Sequence, residues 1–171
     1  MTRLQQSPPS PIRRGNRYSV AAPARSGTGL SQAIYYAPAI ASGANTVTVK
    51  FNGAALYVDL RIAEYAGLTG SVDSVSSGVG ATSPASVTAA STSSTGDLLI
   101  SAVTTAGSVI RAAAGYSQRF LTSPNGDNLQ DSIGPNKGPY FGSTPVSPDP
   151  WVEQWVAFNA GSTQTRETLT R

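Results

Sequence analysis

A strand is predicted for Trp151-Val152-Glu153-Gln154-Trp155-Val156-Ala157-Phe158, a run without glycine or proline near the C-terminal end of the chain. Successive side chains of a strand point to opposite faces, so the two tryptophans and Glu153 form one row and the opposite row is mainly apolar. If the apolar row faces the core, two indoles and a carboxylate stand outward, as a surface that can stack on a sugar ring. The alternatives are that the strand is buried on both faces, or that the tryptophan row is the buried one. The candidate ligand-binding residues are Trp151, Glu153 and Trp155.

Other strand-forming stretches precede this one at intervals of about ten residues. Residues 46–51 alternate threonine or lysine with valine or phenylalanine, which is the clearest strand pattern in the chain. Residues 58–62 repeat the alternation, and Val58, Leu60 and Ile62 are predicted to point inward. Further strands are predicted at residues 17–21, 31–37, 97–103, 116–122, 129–133 and 138–141.

The stretch from Thr69 to Gly96 consists mostly of Ser, Thr, Gly and Ala. A polar loop with one edge strand at residues 86–89 is predicted there, and the alternative is a flexible or glycosylated linker. Residues 108–114 are the one segment where a short helix could form.

Many short strands separated by turns predict an all-β fold, a single antiparallel β-sandwich that is jelly-roll-like. The domain is predicted to span residues 15–160. Residues 1–14 are rich in proline and arginine and are predicted to form a disordered arm, and residues 161–171 a polar C-terminal tail.

The composition excludes several kinds of catalytic site. The 171 residues include no cysteine and no histidine, and 12% are charged. A thiol nucleophile, a Ser-His-Asp triad and the Cys/His sets that hold zinc are therefore ruled out. Paired carboxylates remain, but Asp59 and Glu64 differ by an odd offset and fall on opposite faces of a strand. The sequence therefore predicts a protein that is not an enzyme.

The charge distribution argues against a nucleic-acid module. The formal net charge is +3. Residues 1–25 carry five arginines and no acid, whereas residues 26–160 carry five basic groups and eight acids. A nucleic-acid-binding domain is expected to carry its positive charge on the folded surface, so nucleic acid is an unlikely partner. The sequence also has no apolar run long enough to span a membrane and no signal-peptide pattern at its start.

A turn rich in oxygen-bearing side chains follows Pro124. Asn125, Asp127 and Asp131 are weak candidates for calcium ligands, because Ca²⁺ prefers carboxylate and amide oxygens. The spacing differs from that of an EF-hand loop, and a β-turn capped by its own side chains is the simpler interpretation. No cofactor is predicted apart from this weak calcium site.

The order of several motifs resembles a jelly-roll-like domain of unassigned function found in large secreted or surface proteins of environmental bacteria. The motifs are Gly15-Asn16-Arg17-Tyr18, residues 31–37, residues 45–52 with 60–67, Gly96-Asp97-Leu98-Leu99-Ile100, residues 119–127 and residues 151–158. The resemblance implies an extracellular or cell-surface location and a binding or spacing role. Such domains begin with further apolar strands where this chain has residues 1–14, so a domain truncated at its N-terminus is expected.

Three functional expectations follow. The first is a non-catalytic surface module that binds a polysaccharide through the tryptophan row. The second is a structural spacer or assembly module without a small-molecule ligand, which could associate with other surface proteins or with itself through an exposed sheet edge. The third is a jelly-roll subunit of a virus or phage particle, for which the basic arm would act on nucleic acid.

Overall fold

The computed structural model describes residues 16–124, 126–161 and 168–169. These residues form an all-β, sandwich-like single domain built from antiparallel sheets, which confirms the predicted fold class. The described residues include no helix, so the short helix considered at residues 108–114 is not formed. Accordingly, this part of the chain has no helix that could cross a membrane. The predicted arm and Asn125 lie outside the described residues.

Thirteen strands occur in chain order within the described residues. They are β1 (Ser19–Ser26), β2 (Ser31–Tyr36), β3 (Glu64–Tyr65), β4 (Leu68–Gly80), β5 (Ala85–Ser86), β6 (Ala90–Thr92), β7 (Asp97–Thr105), β8 (Ser117–Leu121), β9 (Asn128–Gly134), β10 (Gly138–Tyr140), β11 (Ser143–Thr144), β12 (Trp151–Ala160) and β13 (Thr168–Leu169). The main sheet has five strands in the order β4-β12-β7-β9-β8. Four two-stranded sheets accompany it: β1-β2, β10-β6, β11-β5 and β13-β3.

The second strand of the main sheet is β12, which pairs with β4 on one side and with β7 on the other. The register places Trp155 opposite Ser101 of β7, and Ser101 opposite Gln130 of β9. Residues that are paired in register share a face of the sheet. One face therefore carries the tryptophan row of β12, and the other carries Val156 and its neighbours.

Short sheets cover the face that carries the tryptophans. Two apolar clusters join this face to β5, β10 and the loops beside them. Their members are Ala85, Val87, Leu99, Val103, Val109, Val146, Trp151, Trp155 and Ala157, with Ala90, Tyr116 and Tyr140 packed around them.

The β1-β2 hairpin covers the opposite face. Ala21 and Ala22 of β1 pack against Val156 and Phe158, and Ile34 of β2 packs around them. The ring of Tyr36 lies 5.4 Å from that of Phe158 between centroids, tilted by 59°. The central strands β12 and β7 of the main sheet are therefore buried between two covering layers, and apolar side chains are needed on both of their faces.

The longest strand, β4, lies in the stretch that was predicted to be a polar loop. Its small residues permit close approach of the covering layer: a Cβ at Gly78 would collide with the carbonyl oxygen of Ser86 in β5. A Cβ at Gly80 would lie 2.5 Å from the indole of Trp151. The prediction failed because a Ser/Gly-rich composition is typical of loops, whereas here it satisfies a steric demand between two layers.

Two other predicted strands are also corrected. Residues 46–51 and 58–62 have the alternating pattern, yet the structure places residues 44–63 outside every strand. This segment runs between β2 and β3. Alternation predicts that two faces differ, but a strand also needs a neighbouring backbone at hydrogen-bonding distance, which periodicity cannot supply.

Candidate functional site

The tryptophan row is part of the core. Trp151 is 5% exposed, and Trp155 and Glu153 are 0% exposed. The indole nitrogen of Trp151 donates a hydrogen bond to the carbonyl oxygen of Thr82 at 2.7 Å, and that of Trp155 donates to the Tyr116 hydroxyl at 2.7 Å. The outward sugar platform expected from Trp151, Glu153 and Trp155 is therefore wrong.

The opposite row of β12 is buried as well. Val152 and Val156 are fully buried, and the amide nitrogen of Gln154 donates to the carbonyl oxygen of Pro23 at 2.7 Å. Of the three arrangements that the sequence left open, the structure has the strand buried on both faces. The alternation did not identify the buried face, because both rows of β12 contain large apolar side chains that are suited to a core.

Glu153 is one of the buried carboxyl groups of the described residues, and it lies within the tryptophan row. Its Oε1 accepts hydrogen bonds from Ser101 Oγ at 2.6 Å and from Thr144 Oγ1 at 3.0 Å. Its Oε2 has no hydrogen-bond partner within the described residues. Burial raises the pKa of Glu153 to about 7, although the two hydroxyl donors act in the opposite direction.

Gln130 forms hydrogen bonds with both hydroxyl groups that donate to Glu153. Its amide nitrogen donates to Ser101 Oγ at 3.1 Å and to Thr144 Oγ1 at 2.7 Å, and its oxygen accepts from the amide of Ala113 at 2.8 Å. Gly142 lies directly against Glu153 Oε1, where a Cβ would collide. The group is fully enclosed, so it has the raised pKa of a general acid without contact to a substrate.

The two described calcium candidates are engaged with protein donors. Asp131 forms a bidentate pair with Arg119 at 2.7 and 2.8 Å and accepts from the Tyr65 hydroxyl at 2.8 Å. Asp127 Oδ1 accepts from the backbone amide of Thr105 at 2.8 Å. No group of three potential metal ligands occurs in the part of the chain that the structure describes. The structure therefore gives the calcium interpretation no support, and the third candidate, Asn125, lies outside the described residues.

A buried ionic cluster that the sequence analysis missed surrounds Arg61. One guanidinium nitrogen donates to the carbonyl oxygens of Val103, at 2.9 Å, and of Asn128. The other donates to Thr104 Oγ1 at 3.0 Å and to Gln32 Oε1 at 3.2 Å. These acceptors belong to β2, β7 and β9, so one side chain of the irregular segment is bonded to three strands.

Two carboxyl groups balance this cation. Asp59 Oδ2 lies 3.7 Å from Arg61 Nε. Burial lowers the pKa of Arg61, and the charges of Asp127 and Asp59 oppose that effect. Burial likewise raises the pKa of Asp127, and Asp59 raises it further, while the Thr105 amide and Arg61 lower it. The sequence contained one signal, an acid and a base two residues apart, which places both side chains on one face.

The inward direction of Asp59 and Arg61 turns their neighbours outward. Val58, Leu60 and Ile62 are 53%, 51% and 49% exposed, whereas the side chains of Asp59 and Arg61 are 16% and 9% exposed. The prediction that the three apolar residues point inward is wrong, because the hydrogen bonds of Arg61 fix the opposite orientation. We call Val58, Leu60 and Ile62 the outward row.

The comparisons with known proteins identify no family. No protein-family model, no curated protein and no solved structure matches the chain. The resemblance to a domain of bacterial surface proteins therefore stays a prediction.

Proposed function

We propose that this protein is a non-catalytic β-sandwich module that acts by associating with another polypeptide chain. This is the assembly role that the sequence left as an alternative to sugar binding. Sugar binding through the tryptophan row is not carried forward, because the side chains that would have served it are in the core.

The observation that carries the proposal is the apolar surface of residues 56–62. Leu56 and Tyr57 are 81% and 91% exposed, and the outward row follows them directly. Five large apolar side chains are thus accessible within seven residues. Exposed apolar side chains that are concentrated in one segment, and not scattered singly over the surface, are typical of a contact with a partner.

The surface is also held in place. A slack loop could turn its apolar side chains toward the protein, but here Arg61 is bonded to β2, β7 and β9 through its guanidinium group. If the segment were reversed, the outward row would be less exposed, but the acceptors of Arg61 would lose their hydrogen bonds to its guanidinium group. The hydrogen bonds of Arg61 therefore keep these apolar side chains exposed, which supports a role of the segment as a binding surface.

A matched pair of leucine variants tests whether the outward row is surface or core. Leu60→Ser is expected to change the free energy of unfolding by less than about 0.5 kcal/mol and to reduce the fluorescence of a bound apolar dye. Leu99→Ser, at a leucine that is 1% exposed, is expected to cost about 3 kcal/mol or more. Chemical unfolding of the dilute chain measures both. A loss in Leu60→Ser as large as that in Leu99→Ser would show that the row is core and would overturn the proposal.

A structural spacer without any ligand is the second candidate. The burial of the main sheet on both faces favours it, because such a sheet offers rigidity without a cleft. The two candidates differ in the outward row: a spacer has no need of it, whereas an association module depends on it.

A further inference from the structure

We infer that Asp73 and Asp97 form a binding site for Ca²⁺ at one end of the main sheet. The site uses none of the residues of the turn after Pro124 or of the tryptophan row, and it is independent of the association proposed above. Three observations carry the inference: the placement of the two carboxyl groups, a buried oxygen without a donor, and the lack of a basic side chain beside them.

The backbone brings the two carboxyl groups together from β4 and β7. Asp73 is the extra residue of a β-bulge in β4, opposite Ala157 and Phe158 of β12. A bulge changes the direction of the side chain that it carries. The Oδ1 of Asp73 accepts a hydrogen bond from Ser93 Oγ, and its Oδ2 accepts one from the backbone amide of Ser93, both at 2.6 Å. These bonds hold the carboxyl group within hydrogen-bonding distance of Asp97, the first residue of β7.

Asp97 has a buried oxygen that no donor reaches. Its side chain belongs to a residue that is 0% exposed, and its Oδ1 accepts from the amide of Ala160 at 3.1 Å. Its Oδ2 has no hydrogen-bond partner among the described residues. The neighbouring carboxylate of Asp73 cannot serve, because it offers an acceptor to an acceptor. A buried carboxylate oxygen without a partner is costly, so the pair needs a positive charge or a proton.

The protein supplies no basic side chain to this pair. Asp59 and Asp131 each form an ion pair with an arginine, whereas neither Asp73 nor Asp97 forms one within the part of the chain that the structure describes. The hydrogen bond from the Ser93 hydroxyl is the main cause that lowers the pKa of Asp73. Burial raises the pKa of Asp97, and the charge of Asp73 raises it further. One proton can relieve the pair in acid, but a divalent cation neutralises it when both groups are ionised.

The donor set suits Ca²⁺ better than Mg²⁺. Ca²⁺ accepts irregular arrangements of oxygen ligands at about 2.3–2.6 Å, whereas Mg²⁺ demands a nearly ideal octahedron at about 2.0–2.1 Å. The carboxyl groups of Asp73 and Asp97 are fixed by hydrogen bonds to the protein and cannot rearrange freely around a small ion. Asp73 is half-buried, so water can complete the coordination from its outer side. Because the protein contributes only two carboxylates, we expect a dissociation constant of about 10⁻⁴–10⁻³ M.

Calorimetric titration of the metal-free full chain with calcium chloride, at a pH of about 7.5 and constant ionic strength, tests the inference. We expect one Ca²⁺ per chain, and Asp97→Asn and Asp73→Asn are each expected to raise the dissociation constant by at least about tenfold. Glu64→Gln is the matched control, because it removes one exposed carboxylate in β3, and it is expected to leave the dissociation constant unchanged. No binding by the wild-type chain, or equal binding by all three variants, would overturn the inference.

Thermal unfolding distinguishes a calcium site from a pair that merely shares a proton. In the metal-free chain Asp97→Asn is expected to raise the melting temperature, because its amide can donate to Asp73 and one of two like charges is removed. Calcium chloride is expected to raise the melting temperature of the wild type and of Glu64→Gln by a few degrees, and to leave that of Asp97→Asn unchanged. If Asp97→Asn is stabilised but calcium does not affect the wild type, a proton balances the pair and the calcium site is excluded.

Discussion

The strand β12 and the segment of residues 56–62 have the same kind of sequence and opposite environments. Residues 58–62 alternate apolar with charged side chains, and β12 alternates a row of two tryptophans and Glu153 with a row that is mainly apolar. In β12 both rows are buried, because covering layers lie on the two faces of the main sheet. In residues 58–62 the charged side chains point inward and the apolar ones outward.

The difference shows what alternation leaves open. A period of two fixes which side chains share a face, but it does not fix which face is buried. In β12 the answer is set by the number of layers around the sheet. In residues 58–62 it is set by Arg61, whose hydrogen bonds to β2, β7 and β9 need the guanidinium group on the inner side.

The largest expected loss of stability is that caused by substitution of a buried tryptophan of β12. Trp155→Ala removes a fully buried indole and leaves the Tyr116 hydroxyl without its donor, so we expect a loss of about 4 kcal/mol in the free energy of unfolding. Trp155→Phe keeps a six-membered aromatic ring but loses the N–H donor and the rest of the indole, and is expected to cost about half as much. Denaturant unfolding measures both. A Trp155→Ala variant as stable as the wild type would mean that this row is not core.

The next effect lies on the Arg61 side. Arg61→Ala leaves Asp59 and Asp127 without their cation and three strands without its hydrogen bonds, so we expect a loss of about 3 kcal/mol. Amide exchange in residues 56–62 should accelerate because the segment is no longer held.

The exposed Arg111 provides the control for that variant. Arg111→Ala is expected to change stability by less than about 0.5 kcal/mol and to leave exchange in residues 56–62 unaltered. If Arg61→Ala and Arg111→Ala have the same small effects on stability and on amide exchange, Arg61 does not hold the outward row in place. The difference in burial between residues 58–62 and β12 would then have another cause.

The smallest effect concerns the pH dependence of the core around Glu153. The folded-state pKa is raised to about 7, so between pH 4.5 and pH 7 the folded state holds a proton that the unfolded state has lost. The free energy of unfolding therefore falls as the pH rises through this range and no longer changes above it. The total decrease between pH 5 and pH 8 is about 2 kcal/mol.

Glu153→Gln removes this titration while it keeps the size of the side chain. Its free energy of unfolding should decline less than that of the wild type between pH 5 and pH 8, as followed by unfolding at a series of pH values. Burial also raises the pKa values of Asp97 and Asp127, so any pH dependence that they contribute has the same sign and is retained in the variant. Parallel pH profiles for variant and wild type would show that Glu153 does not titrate in the core.

The strands with a strong pattern and a partner could be predicted from the sequence. Residues 97–103, 129–133 and 151–158 lie in β7, β9 and β12. In β7 and β12 aliphatic and aromatic side chains are buried on a pleated surface, whereas the buried side chains of β9 include Gln130 and Asp131. The all-β class follows from the same residues. The direction of the tryptophan row could not be predicted, because it depends on how many layers surround the sheet.

The ionic cluster and the pairing of Asp131 could not be predicted from the sequence for a different reason. The ionic cluster joins Arg61 to acceptors that lie between 29 and 67 residues away, and backbone carbonyl oxygens leave no trace in a sequence. The calcium candidates were chosen by proximity along the chain, but Asp131 is paired with Arg119 across β8 and β9. Contacts between residues that are distant in the sequence determine both the acceptors of Arg61 and the partner of Asp131.

The strand β4 gives the composition of the chain a second meaning. Gly78 lies where the covering layer approaches, so a single added methyl group there meets the backbone of β5, and one at Gly80 meets the indole of Trp151 in the neighbouring strand. A sequence of serines and glycines is usually expected to accept substitutions freely. At these two positions the expectation is reversed: any larger residue would collide with a neighbour, so the plainest stretch of the chain contains positions that are suited to glycine alone.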